Sequence, residues 1–123
     1  MEKTVFHIKE KSGVVIIRVT EKKLYQDVVT PFQNTMVSVL ERGRKNIIVD
    51  LSEVDVMNSS GLGVLILVWD RLSRENGKLV ITGLRRLMKE LFQRMRLDLV
   101  FTLAENEEEA LAFIRGDKKI PAK

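Results

Sequence analysis

Residues 47–69 join a β-branched run to a strongly apolar helix pattern through a short polar loop, and this join restricts the fold more than any other stretch. Residues 47–49 are typical of a buried strand, and residues 62–69 are apolar on nearly every side of a helix. Such a helix either packs partly beneath its neighbours or presents an apolar patch to a partner. A strand joined so closely to an apolar helix predicts an α/β protein.

The remaining patterns extend this alternation to the order β-β-α-β-α-β-α-β-α, with about four helices. Parallel pairing of the later strands, through right-handed crossovers, predicts a mixed and mostly parallel sheet. The first two strands flank Ser12-Gly13 and should form a hairpin, and the second is apolar enough to be buried on both faces. The predicted strands are residues 4–9, 14–19, 46–51, 79–82 and 100–103, and the predicted helices are 28–42, 59–74, 84–95 and 107–115.

Three details refine these elements. Asp27 is placed to cap the first helix, and Asn106 the last one. The third helix should bury a face made of Leu84, Leu87, Met88, Leu91 and Met95.

Length and composition predict one domain without membrane spans. The chain has 123 residues, 45% of them apolar, and no cysteine. We expect residues 1–116 to form the domain and residues 117–123 to be a flexible basic tail. The longest apolar run, residues 64–69, is far shorter than the roughly 20 residues that cross a bilayer. Since the chain opens directly on a strand pattern, we expect no signal peptide and a cytoplasmic protein.

The net charge of +4 does not indicate nucleic-acid binding. Basic residues occur as scattered pairs, such as Lys22-Lys23 and Arg85-Arg86, with acidic residues between them. Nucleic-acid binders usually show a basic stripe interleaved with aromatic residues. We therefore expect no direct nucleic-acid contact.

Known catalytic motifs are also missing. A nucleophile elbow needs glycine two residues before its serine, where this chain has Met57 or Asn58, and the only histidine is His7. No phosphate-binding loop occurs, and residues 61–63 supply only two glycines of the dinucleotide-binding motif. The sequence therefore predicts a protein that is not an enzyme and needs no cofactor.

Three carboxylates follow the central strand, at Asp50, Glu53 and Asp55. A cation site is one interpretation, because clustered carboxylates bind Ca²⁺ and Mg²⁺. We favour the simpler interpretation of solvated strand-end and loop carboxylates, and expect no metal. These groups would also make their neighbourhood acidic.

The tetrapeptide Asn58-Ser59-Ser60-Gly61 opens the second helix. Its two hydroxyls lie at a helix N-terminus, where unpaired N–H groups and the positive end of the dipole favour negative charge. The position is chemically suited to accept a phosphate. The alternative is that either hydroxyl caps the first turn, and residue chemistry alone favours capping over regulation.

Residues 47–63 closely resemble the anti-sigma factor antagonist branch of the STAS domain family (sulfate transporter and anti-sigma factor antagonist). The shared features are a strand ending in Asp-Leu-Ser, a five-residue loop and the motif Asn-Ser-Ser-Gly-Leu-Gly. The element order, the Gly83-Leu84 turn and the Glu-Glu-Ala start of the last helix extend the resemblance over almost the whole chain. It implies a single-domain STAS-like fold.

The resemblance also implies a bacterial phosphorylation switch. A partner anti-sigma factor that is also a serine kinase would phosphorylate the first serine, here Ser59, and would then be released. A phosphatase would reset the switch. This chain has Asn58 where the family usually has Asp, and Leu24 or Tyr25 where it usually has an acid near the serine.

The motif and its apolar neighbours define the expected binding surface. Because Met57 precedes the serines and Leu62 follows them, we expect the hydroxyls to lie within an apolar contact surface. Two alternatives remain: a non-phosphorylated STAS subunit of a larger assembly, such as a transporter or a stress-sensing scaffold, and a nucleotide- or lipid-binding sensor. The expected partner-binding residues are Met57, Asn58, Ser59, Ser60, Gly61 and Leu62.

Overall fold

The computed structural model describes residues 6–116, which form a sheet with helices on both faces. The predicted α/β class, the four helices and the mixed sheet are confirmed, and the order matches apart from two short additional strands. Residues 4 and 5 of the predicted first strand and the predicted tail at 117–123 lie outside the described residues. The strands are β1 (Phe6–Lys11), β2 (Val14–Val19), β3 (Lys23–Leu24), β4 (Asn46–Asp50), β5 (Val56–Met57), β6 (Lys78–Thr82) and β7 (Thr102–Ala104), and the helices are α1 (Val29–Glu41), α2 (Ser59–Arg74), α3 (Arg86–Arg94) and α4 (Glu107–Arg115).

The main sheet has the strand order β1-β2-β4-β6-β7. β1 and β2 form the predicted antiparallel hairpin, and every other neighbouring pair is parallel. The hairpin turn has φ values of 55° at Ser12 and 78° at Gly13. Two positive φ values in a two-residue loop match the right-handed twist of the strands that it joins.

The two faces of the sheet bury two cores. The larger core lies under α1, α2 and α3, and the smaller one lies under α4. Alternate residues of β2 point to each core: Ile17 and Val19 to the larger, Val14 and Ile16 to the smaller. The predicted burial of β2 on both faces is therefore confirmed. None of the helices within residues 6–116 combines the length and apolar character needed to cross a membrane.

The predicted cap of the first helix was wrong. α1 begins at Val29, and its N-cap residue, Val28, offers no side-chain hydrogen bond. A turn of 3-10 helix, Gln26–Val28, precedes α1, and the Val28 N–H donates to the Tyr25 carbonyl over 3.1 Å. Asp27 lies inside this turn, so it is not in the position of a cap. Asn106 does cap α4, where its Oδ1 accepts the Glu109 N–H over 2.8 Å.

The predicted apolar face of the third helix was wrong in part. Met88 is buried as expected, but Leu87 is 71% exposed and Met95 is 51% exposed. Phe92, which was not in the predicted face, is fully buried and lies 6.0 Å from the Phe101 ring. The buried side of α3 is thus centred on Met88 and Phe92. The neighbouring side, which carries Leu87, faces solvent.

The last strand begins two residues later than predicted. α3 ends at Arg94, and Arg96 has a left-handed backbone with a φ of 59°. A 3-10 turn, Leu97–Leu99, then precedes β7. These turns occupy part of the segment that the apolar pattern assigned to a strand.

Candidate functional site

The serine motif is preceded by a short parallel ribbon that the sequence analysis missed. β3 pairs with β5 in a second sheet, with Lys23 opposite Val56 and Leu24 opposite Met57. The Lys22 carbonyl also accepts the Asp55 N–H over 2.7 Å. This ribbon ties the segment after β2 to the loop before α2. Strands of two residues are too short to show a hydrophobic period. The only sequence signal for β5 was a pair of β-branched residues, Val54 and Val56, in a loop that was expected to be polar.

Gly61 packs the first turn of α2 against this ribbon. A Cβ at Gly61 would lie 2.8 Å from the Met57 Cγ atom and 2.9 Å from the Leu24 carbonyl oxygen. Real Cβ atoms essentially never approach so closely, so the close approach requires glycine. The start of α2 is thereby fixed relative to β3 and β5.

The apolar neighbours of the serines do not form the expected contact surface. Met57 is 5% exposed and Leu62 is 6% exposed, and both belong to the larger core. That expectation was therefore wrong for these two side chains. Their packing in the core holds the end of β5 and the first turn of α2 against the sheet. A contact surface for a partner needs side chains on the opposite side of α2.

Asn58, rather than a serine, caps α2. Asn58 has an extended backbone, with φ −92° and ψ 178°, and its Oδ1 accepts the Gly61 N–H over 3.0 Å. Ser59 and Ser60 are exposed, and neither hydroxyl makes a hydrogen bond within residues 6–116. Capping by a serine, which residue chemistry alone favoured, is therefore not observed. Both hydroxyls face solvent at the amino end of α2.

Arg85 connects the loop before β5 to the start of α3. Its Nε donates to the Ser52 carbonyl oxygen over 2.7 Å, and its Nη1 pairs with the Asp55 carboxylate over 2.7 Å. Two contacts from one planar guanidinium fix the direction of the loop as well as its distance. Since the group is about half exposed, we expect it to position the loop with little effect on overall stability.

The other two carboxylates of this region are also engaged. The Asp50 Oδ1 accepts the Ser52 N–H over 2.8 Å, and Glu53 pairs with Arg18 over 3.3 Å. Two of the three carboxylates therefore face an arginine, so the neighbourhood is less acidic than expected. Within residues 6–116, no group of three or more His, Cys, Asp or Glu side chains is arranged to hold a metal ion.

The outer side of α2 carries a continuous exposed face. From Ser59 and Ser60 it continues through Gly63 to Ile66 and Leu67, which are 43% and 45% exposed. These positions lie three or four residues apart and so share one side of the helix. We call this surface, residues Ser59, Ser60, Gly63, Ile66 and Leu67, the α2 face. The apolar pattern of this helix left two alternatives open, packing beneath neighbours or an exposed patch, and the structure shows both: most of its apolar side chains are buried, and Ile66 and Leu67 are exposed.

Gly63 leaves a bare stretch of backbone at the centre of the α2 face. A Cβ built there meets no atom within 4 Å. Glycine in a helix interior is less favourable than alanine by roughly 1 kcal/mol, and no packing within residues 6–116 requires it. Gly63, Ile66 and Leu67 were absent from the predicted site, because only the structure shows which side of α2 is open.

Removal of the Asn58 cap should destabilise the domain. We expect Asn58→Ala to lower the free energy of unfolding by about 1 kcal/mol, the usual cost of a lost cap. Asn58→Asp is the matched control, because it keeps the acceptor oxygen and adds a negative charge that the helix dipole favours. Urea denaturation measures both changes. Equal stability of Asn58→Ala and the wild type would show that the cap is dispensable.

Comparisons with known proteins agree on one family. The STAS domain family matches residues 6–110. BtrV of Bordetella bronchiseptica, named as a candidate anti-sigma factor antagonist, is 30% identical over 73 residues, which are 59% of this chain and 63% of BtrV. This alignment thus spans less than two thirds of that relative.

Solved structures share the fold at lower sequence identity. A candidate anti-sigma factor antagonist from Thermotoga maritima superimposes with a TM-score of 0.82 and 22% identity, over 89% of this chain and 94% of that one. The Bacillus cell fate determinant SpoIIAA, in its phosphorylated form, superimposes with a TM-score of 0.70 and 23% identity, over 89% of this chain and 99% of that one.

Proposed function

This chain belongs to the STAS domain family, and on that premise we propose that it is an anti-sigma factor antagonist that phosphorylation at Ser59 switches off. It acts by binding a partner and catalyses no reaction itself. The partner is an anti-sigma factor that is also a serine kinase, and a phosphatase removes the phosphate. The names of BtrV and of the Thermotoga maritima protein support the antagonist role, and the phosphorylated form of SpoIIAA supports the modification.

One observation carries this proposal: the serine hydroxyls are exposed and unused because Asn58 already caps the helix. A kinase can therefore reach the Ser59 oxygen without breaking an existing hydrogen bond. The new phosphate would lie beside the amides of the first helical turn, which lack acceptors inside the helix. Both these amides and the helix dipole favour the added negative charge.

The α2 face provides the surface for the partner. It combines two hydroxyls, bare backbone at Gly63 and the apolar side chains of Ile66 and Leu67. Among the expected binding residues, Asn58, Ser59 and Ser60 offer exposed side chains. The other three, Met57, Gly61 and Leu62, are buried and act by holding the turn in place.

We expect the phosphate to be found on Ser59. The chain would be incubated with ATP and its cognate anti-sigma factor kinase, and the site would be mapped by mass spectrometry. Ser59→Ala should abolish labelling, and Ser60→Ala, the matched control, should keep it. Phosphate found only on Ser60 would overturn the assignment.

A further inference from the structure

A second exposed apolar stripe lies outside the serine motif. Leu87 is 71% exposed, Met95 is 51% exposed and Leu99 is 75% exposed, which makes them the most exposed large apolar side chains within residues 6–116. Leu87, the half-buried Leu91 and Met95 recur every four residues along α3 and its C-cap, so these three share one side. Leu99 follows in the 3-10 turn beyond the left-handed Arg96. We call these four residues the α3 stripe.

Basic residues surround the α3 stripe. Residues 85–100 contain five basic and two acidic side chains, whereas the whole chain has a net charge of only +4. The segment therefore carries a net charge of +3, although Arg85 pairs with Asp55 and Lys89 pairs with Glu105 outside it. A partner with negative charge would be attracted to it.

Three of these arginines are available to such a partner. The Arg86 side chain is 89% exposed and its contact with Glu90 is long, at 3.7 Å. Arg94 and Arg96 are exposed and form no ion pair with any other residue in the 6–116 range. Arginine presents a planar fork that matches the geometry of carboxylates. The chemistry around the stripe therefore favours aspartate and glutamate side chains.

The narrowness of the stripe favours a helix as the occupant. Met88 and Phe92 point into the core, so α3 exposes only about one apolar side chain per turn. Such a ridge, with a four-residue repeat, fits the groove between the side chains of a second helix. An interfacial helix inserts its apolar face into the membrane surface, whereas the side of α3 with Met88 and Phe92 is already buried in the core.

We propose that the α3 stripe binds an amphipathic helix of a partner protein whose apolar seam is flanked by acidic residues. Its leucine-type side chains pack between Leu87, Met95 and Leu99. Its carboxylates pair with Arg86, Arg94 and Arg96. This surface uses no residue of the serine motif, so the inference goes beyond the proposed function and does not depend on it.

Two designed peptides test the proposal. Each is a three-heptad helix with a leucine seam, one flanked by glutamate and the other by lysine. The full-length protein is titrated against each labelled peptide, and fluorescence anisotropy measures the affinity. We expect the glutamate peptide to bind at least about tenfold more tightly than the lysine peptide.

Surface variants locate the contact. Leu87→Ser with Leu99→Ser, and separately Arg86→Gln with Arg94→Gln, should each weaken binding of the glutamate peptide at least about tenfold. Ile66→Ser, on the α2 face, and Ser59→Asp should both bind it like the wild type. All these positions are exposed, so we expect each variant to remain folded, and circular dichroism checks this.

Equal binding of both peptides, or no binding of either, would overturn the proposal. Sedimentation of the protein with phosphatidylglycerol vesicles, if Leu87→Ser abolishes it, would also overturn the proposal and would indicate a lipid surface. A dimer in analytical ultracentrifugation, if Leu87→Ser dissociates it, would overturn the proposal and would indicate a second copy of this chain.

Discussion

Phosphorylation of Ser59 should weaken binding of the anti-sigma partner by roughly 30- to 5000-fold. Ser59 lies at the amino end of the α2 face, so a partner docked there must remove water from the new charge. A charge left buried and unpaired at an interface typically costs about 2–5 kcal/mol, which corresponds to this range of affinities. The same charge is tolerated in the free protein, where water and the first-turn amides surround it.

Calorimetric titration with the partner measures this effect. Ser59→Ala should bind about as well as the wild type, and Ser59→Asp and the phosphorylated protein should both bind far more weakly. The free energy of unfolding of Ser59→Asp should stay within about 2 kcal/mol of the wild type, because the substitution is exposed and the helix dipole favours it. Loss of binding then cannot be attributed to loss of the fold.

Equal affinity for the phosphorylated and unphosphorylated forms would argue against the switch. It would favour a constitutive subunit of a larger assembly, the alternative that the resemblance left open. A thermal shift on adding nucleotides, with no binding to an anti-sigma factor, would instead favour the sensor.

The order of elements could be predicted because its signals are local. Val14–Val19 is apolar at nearly every position, and Ser12-Gly13 marks a turn by composition alone. The β3–β5 ribbon could not be predicted in this way. Its two pairs, Lys23 with Val56 and Leu24 with Met57, join segments that lie far apart in the chain and are too short to show a period.

The buried face of α3 shows a different limit. Its sequence contains two overlapping apolar stripes, one through Met88 and Phe92 and one through Leu87, Leu91 and Met95. Periodicity gives both stripes similar weight. The core beneath α3 decides between them, because Met88 and Phe92 pack into it beside Phe101. The stripe that is left exposed is the one proposed to bind a second helix.

The motif could be located from sequence, but the roles of its residues could not. Apolar residues on either side of a helix start can face the core or the solvent, and Met57 and Leu62 face the core. From the sequence alone, the same two serines could either cap the helix or accept a phosphate. Only the hydrogen bond from the Gly61 amide to Asn58 assigns the cap and leaves the hydroxyls exposed.

The two glycines of the motif should respond in opposite ways to an added side chain. Gly61→Ala should lower the free energy of unfolding by about 1–3 kcal/mol, because its Cβ would press on the Leu24 carbonyl oxygen and on Met57. Gly63→Ala should raise it by up to roughly 1 kcal/mol, because the Cβ meets open space and alanine favours the helix. Thermal or urea denaturation measures both changes.

Gly63→Leu should separate binding from stability. Leucine is almost as good a helix former as alanine, so the free protein should be at least as stable as the wild type. The same side chain would stand at the centre of the α2 face, between the serines and Ile66, and would hold a docked partner away from the helix backbone. Disruption at the centre of an interface commonly costs about 2 kcal/mol or more, so we expect the affinity for the anti-sigma partner to fall by at least roughly 30-fold. Ser73→Leu, at an exposed position of α2 beyond this face, is the matched control and should bind like the wild type. If Gly63→Leu also binds like the wild type, the partner does not approach α2 at this position, and the α2 face loses its place in the proposed interface.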